Sequence, residues 1–138
     1  MFPLQAASGQ ALIKPQSVAS TATVTGVLDT LGYDEVKVCV LLDSSASTAN
    51  NPTTLSLSES DDATTYTAIT GMTGDATDGF TIPIVSASLP TVVDLNVDLR
   101  ARKRYLKCTL TPGGGTMLVG ATAVLGKAAE MATADATV

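Results

Sequence analysis

Leu55-Ser56-Leu57-Ser58-Glu59-Ser60-Asp61-Asp62-Ala63-Thr64-Thr65-Tyr66-Thr67-Ala68-Ile69 alternates apolar and polar residues, breaks at an acidic pair, and alternates again. A period of two with a polar interruption is the pattern of a β-hairpin with one buried and one wet face. The same punctuation runs outward in both directions. Val18 to Leu28 reads as a strand closed by Asp29-Thr30-Leu31-Gly32. Glu35 to Leu42 has Val36, Val38, Val40 and Leu42 on one face and Lys37, Cys39 and Leu41 on the other, as in a central strand covered on both sides, one cover being a second subunit. Downstream, Phe80 to Ile84 alternates but contains Pro83, which cannot donate to a ladder and so marks an edge or a bulge. Val93, Leu95, Val97 and Leu99 alternate with Asp94, Asn96, Asp98 and Arg100. Arg104 to Thr111 and Thr116 to Leu125 follow, separated by Pro112-Gly113-Gly114-Gly115. About eight short, evenly spaced strands and no long helix predict an all-β fold, a single β-sandwich of the jelly-roll kind over residues 17–125. Residues 1–16 show no period and read as an extended N-terminal arm. Residues 126–138 read as an Ala/Thr-rich C-terminal tail, with a short helical turn at Lys127 to Met131.

The chain has 138 residues, room for one ordinary domain. Hydrophobic residues make up 45%, enough for a core, but only 4% are aromatic and Trp is absent. Such a core consists of Val, Leu, Ile and Ala, which suits thin packed sheets better than an aromatic-walled ligand pocket. Lys and Arg number 8 against 13 Asp and Glu, for a formal net charge of -5. An acidic domain repels phosphate backbones, which argues against direct nucleic-acid binding. No basic and apolar leader is visible at Met1-Phe2-Pro3-Leu4-Gln5, and no apolar run approaches the ~20 residues that cross a bilayer. Cys39 and Cys108 read as reduced thiols of a protein made in cytosol, with a disulfide between them as the alternative.

Candidate chemistry is sparse. Without histidine the commonest general base near neutral pH is missing, and no Ser lies in a Gly-x-Ser-x-Gly turn. The pairs Asp61/Asp62 and Asp75/Asp78 fall in polar turns, where solvent keeps both acids ionised and backbone N–H groups need caps. Neither loop has the acid, glycine and distal glutamate spacing of a calcium loop, and no His or Cys-x-x-Cys set offers a metal site. No catalytic group, cofactor or metal is expected, and the chain does not read as an enzyme. The strongest local charge signal is Arg100-Ala101-Arg102-Lys103-Arg104, which holds half of the eight cations. It is a solvated turn between two strands, a contact patch for an acidic partner surface, or, as a third option disfavoured by a single adjacent aromatic (Tyr105) and an otherwise acidic domain, a nucleic-acid contact.

The order of segments carries a likeness. Leu31-Gly32-Tyr33-Asp34-Glu35-Val36-Lys37-Val38 opens a strand, Thr54 to Thr67 supplies the L-x-L-x-ESDD hairpin, and Asp98 to Lys107 supplies the basic turn and the R-Y-L strand. Over residues 27–111 this resembles small structural proteins of tailed bacteriophages, and among them head decoration (cement) proteins with a β-sandwich fold. The resemblance implies a non-enzymatic protein, made in the host bacterial cytoplasm and found on the exterior of the virion. It would bind the major capsid protein across capsomer boundaries, commonly as a homotrimer, without membrane or nucleic-acid partners. A tail- or fibre-associated module binding carbohydrate, or depending on calcium, is the alternative reading. On the capsid reading, the expected contacts are the arm residues Phe2, Leu4, Leu12 and Ile13, the basic turn (Arg100, Arg102, Lys103, Arg104) and the tail. Residues 1–14 would then be removable without unfolding the sandwich.

Overall fold

The computed structural model describes residues 7–45, 48–85 and 87–126. Among the described residues are eight strands: β1 (Ala7–Val18), β2 (Val24–Asp29), β3 (Glu35–Leu42), β4 (Thr54–Ser60), β5 (Thr67–Thr73), β6 (Thr91–Asp98), β7 (Tyr105–Thr111) and β8 (Met117–Gly126). They form two four-stranded sheets with the orders β1-β8-β3-β6 and β2-β7-β4-β5. First pairs with last, second with second-last, and so inward to the β4–β5 hairpin, every pair antiparallel. The chain is thus one long hairpin, tipped by Asp61 to Tyr66 and rolled into a two-sheet jelly roll. The sequence expectation of an all-β sandwich holds.

Alternation explains the core. Val36, Val38, Val40 and Leu42 of β3 face Leu55 and Leu57 of β4 and Leu106, Cys108 and Leu110 of β7 within one buried cluster. β8 contributes Val119, Ala121, Ala123 and Leu125 on its inner face. At about 25 cal/mol per Å² of apolar surface, burial on this pattern drives the two sheets together. Small side chains suffice because the layer between two packed sheets is only about 10 Å thick.

The N-terminal expectation is corrected. Residues 7–18 are not an arm but the strand β1, paired along its length with β8. Leu12 and Ile13, expected as partner contacts, lie in the core at 8% and 3% exposure. The physical reason is irregular pairing: β1 slips register between Ala11 and Ile13 and again between Ile13 and Gln16, so consecutive residues both turn inward and Pro15 is accommodated. No simple period survives in such a strand. Removal of residues 1–14 would therefore take a core strand with it. Phe2, Leu4 and the Lys127 to Met131 turn lie outside the described residues.

Other differences are smaller. Val18 ends β1, and a turn separates it from β2, so the run to Leu28 is two strands. Phe80 to Ile84 forms no strand; Phe80 makes only an isolated bridge to Gly74. β3 is central, between β8 and β6, but its Leu41 side is open in the single chain. Cys39 and Cys108 are free thiols in different sheets. Burial pushes the Cys108 thiol up to about 12.

Candidate functional site

Strand direction gives the sandwich two unlike poles. The β2–β3, β4–β5 and β6–β7 connections all lie at one pole, where β1 begins at Ala7 opposite the last residue of β8, Gly126. These connections, with the strand ends beside them (Asp29, Glu35, Glu59 and Asp98), bear more than half of the charged side chains among the described residues. The β6–β7 connection starts with a 3-10 turn, Leu99–Ala101, capped by Asp98, whose carboxylate accepts from the Arg100 N–H. Arg100 returns a bidentate pair to Asp98, Nε to Oδ1 at 2.9 Å and Nη2 to Oδ2 at 2.7 Å. Arg104 makes the same fork on Asp29 at the end of β2, at 2.9 and 2.8 Å, with its guanidinium 4.9 Å from the centroid of the Tyr105 ring. Arg102 lies 3.6 Å from Glu59, and the Lys103 Nζ lies 3.3 Å from Asp61. Glu59 also accepts the Lys103 backbone N–H at 3.1 Å.

The acidic hairpin and the basic turn, read separately in sequence, therefore meet. Glu59 is the pivot: its side chain is 14% exposed, and it ties β4 of one sheet to the connection arriving from the other. The neighbouring Asp62 closes its own turn. Its Oδ1 accepts from the Ser60 hydroxyl and from the Thr64 and Thr65 N–H groups. Those backbone donors, with the hydroxyl, hold the Asp62 carboxyl at about 2. The Arg104 fork, helped by the Leu31 N–H, holds Asp29 at about 2. The Arg100 fork and backbone N–H do the same for Asp98. Asp75, in the other acidic loop, caps the Ile82 N–H at 2.9 Å.

All four cations expected to meet an acidic partner thus have carboxylates of their own chain. Lys37 pairs with Asp94 at 3.4 Å, and Lys107 lies 4.1 Å over the Tyr66 ring. Among the described residues no group of three His, Cys, Asp or Glu is placed to hold a metal ion. Among them, too, no helix is long and apolar enough to cross a membrane.

A second feature was legible in sequence only at β3, whose Leu41 side was expected to be covered by a second subunit; that three further apolar residues share this face was not. On the outer face of the β1-β8-β3-β6 sheet, Leu41 is 47% exposed, Val92 53%, Leu118 55% and Val124 43%. Leu41 is the register partner of both Val92 and Gly120. Beside them β1 and β8 place the small residues Gly9, Ala11 and Thr122 on the same face, while Pro15 lies over Gly120. The outer face of the other sheet carries one exposed large apolar strand residue, Val27, opposite Lys107 and among threonines, serines and Tyr105. The signal was present as apolar doublets: Leu41-Leu42, Val92-Val93, Leu118-Val119 and Val124-Leu125. In a strand, one member of such a doublet must face outward.

No protein-family model matches the chain, and no curated protein matches it by sequence. Solved structures do match in fold. The enzymatically active domain of bacteriophage CBA120 tailspike protein 4 aligns with a TM-score of 0.52 at 9% identity, over 86% of this chain and 19% of that one. VP2 of an infectious bursal disease virus subviral particle aligns at 0.50 and 8% identity, over 88% of this chain and 32% of that one. The SPBc2 prophage-derived protein YomS aligns at 0.48 and 15% identity, over 86% and 91%. This chain spans about a fifth of the tailspike domain chain and a third of VP2, and at these identities the likeness is one of fold alone.

Proposed function

We propose that this chain is a non-enzymatic virion structural protein of a tailed bacteriophage. In this reading it decorates the outer surface of the assembled capsid as a homotrimer and stabilises the shell across capsomer boundaries. One observation carries the reading. The two segments that bear the resemblance to decoration proteins, Glu59 to Asp62 and Arg100 to Arg104, are the two halves of one ion-paired pole. Their charged groups hold loops together, which is a scaffold's use of charge. The fold's occurrence in a viral subviral particle and in a phage tailspike is in keeping with a virion role.

The physics of the role is mass action. A protein that binds only the assembled shell stabilises the assembled state, and several weak contacts on one symmetric oligomer act together. The test is co-sedimentation with purified heads lacking the protein, beside purified tails of the same phage. Saturable binding to heads, with sedimentation of the free protein as a trimer, is expected. Binding to tails alone would replace this reading with the tail- or fibre-associated one.

A further inference from the structure

We propose that the outer face of the β1-β8-β3-β6 sheet is the attachment face, and that it takes a partner protein surface with an apolar centre flanked by Lys and Arg. This deepens the capsid reading and rests on it. Four of the five exposed large apolar residues that strands carry lie on this one face, on three adjacent strands. Scattered single leucines need no explanation, but Leu41, Val92 and Leu118 gather toward one end of the sheet, with Val124 further along beside Lys37. Small residues matter here, since Gly9, with open space above it, and the exposed Ala11 let an opposing surface approach the β1 backbone closely.

Charge selects the occupant. The outward rows of β3 and β6 hold Glu35, Asp94 and Asp98 against Lys37, Asp43 follows β3 directly, and Arg100 returns to Asp98, so four acids stand against two cations. A second copy laid face to face would bring acid onto acid, within a chain already at -5. A partner with basic groups beside its apolar centre meets no such repulsion. The polarity is thus the reverse of the one the basic turn suggested: that turn is neutralised within the chain, whereas on this face Lys37 and Arg100 are taken up by Asp94 and Asp98, and Glu35 and Asp43 remain as the acid excess. The size also fits a cooperating contact. Four strands about 4.8 Å apart, over eight residues rising about 3.4 Å each, give a face of roughly 500 Å². That is somewhat under the ~800 Å² per partner of a standard interface, so several copies acting together would be needed for firm attachment.

The experiment uses the full chain and purified heads lacking it. Leu41→Glu with Leu118→Glu is expected to lower affinity for heads by roughly thirtyfold or more, and Val27→Glu on the opposite sheet to leave it unchanged. Glu35→Lys is expected to weaken binding, and added salt to weaken wild-type binding. All four substitutions fall on exposed side chains, and circular dichroism with urea melts checks that each variant is folded. Wild-type binding that survives the Leu41/Leu118 change overturns this face while leaving the capsid reading intact. Binding indifferent to Glu35→Lys and to salt overturns the basic partner. An oligomer of the free protein that Leu41→Glu with Leu118→Glu dissolves would make the face a contact between copies, and overturn the proposal. Failure of the wild type to bind heads at all removes the capsid reading and this proposal together.

Discussion

Thr21 sits at φ 61° in the turn between β1 and β2, a left-handed conformation that a β-branched residue adopts only under strain. Thr21→Asn keeps a polar side chain and tolerates that conformation, so it should raise stability by about 1 kcal/mol, read as a higher urea midpoint with unchanged slope. Leu57 is fully buried in the layer between the sheets, and Leu57→Ala should cost about 2–5 kcal/mol in the same measurement. Gly26 marks a different constraint: a Cβ there would run into the Leu12 backbone carbonyl, so β1 and β2 approach closely only because β2 lacks a side chain at that point. At this scale the sequence was legible where alternation was strict. Val36 to Leu42 could be assigned to faces residue by residue. Leu12 and Ile13 could not, because two register slips beside Pro15 erase the period that would have shown them as core.

The loops of the charged pole behave as one element, and their acids set how stability depends on pH. Asp29, Asp62 and Asp98 have folded-state pKa values near 2 against an ordinary 3.8. Between those values the unfolded chain binds more protons than the folded one, so the stabilisation is complete above about pH 4 and lost as pH falls toward 2. Urea melts taken from pH 5 down to 2 should show a falling midpoint, and Asp62→Asn should flatten that fall. Glu59 should matter more than its exposed neighbour. Glu59→Ala leaves the Lys103 N–H without its acceptor and Arg102 without its carboxylate, at about 1–3 kcal/mol. Asp61→Ala removes one exposed pair and should cost about 0–1 kcal/mol. Equal effects would mean that Glu59 is as solvated as Asp61. Arg102→Glu with Arg104→Glu should lower the midpoint as well, by setting acids against Glu59 and Asp29. The pairing escaped sequence reading because its partners lie far apart: 44 residues separate Glu59 from Lys103, and 75 separate Asp29 from Arg104. Only the rolled topology brings them together.

For the molecule as a whole, the architecture follows from nesting one hairpin within another, and the outermost pair closes it. Deleting residues 1–6 should leave a cooperative unfolding transition, whereas deleting 1–14 should abolish it, since Leu12 and Ile13 leave the core and β8, still paired with β3, becomes a bare sheet edge. Thermal melts by circular dichroism distinguish the two. That the chain forms two packed sheets was legible from the number and spacing of its alternating runs. The order of strands within each sheet was not, because alternation says which face is buried and nothing about which neighbour supplies the ladder. The pairing of Ala7 with Gly126 has one more consequence. Register partners on adjacent strands lie about 5 Å apart, so a linker of a few residues could join these positions into a closed ring. The ring could then be reopened at the Thr77-Asp78 loop to give a circularly permuted chain. In that permutant the β1–β8 contact becomes a local hairpin, formed early and cheaply in entropy, while the β4–β5 hairpin stays local. Folding faster than the natural order at similar stability is the behaviour to look for in stopped-flow refolding.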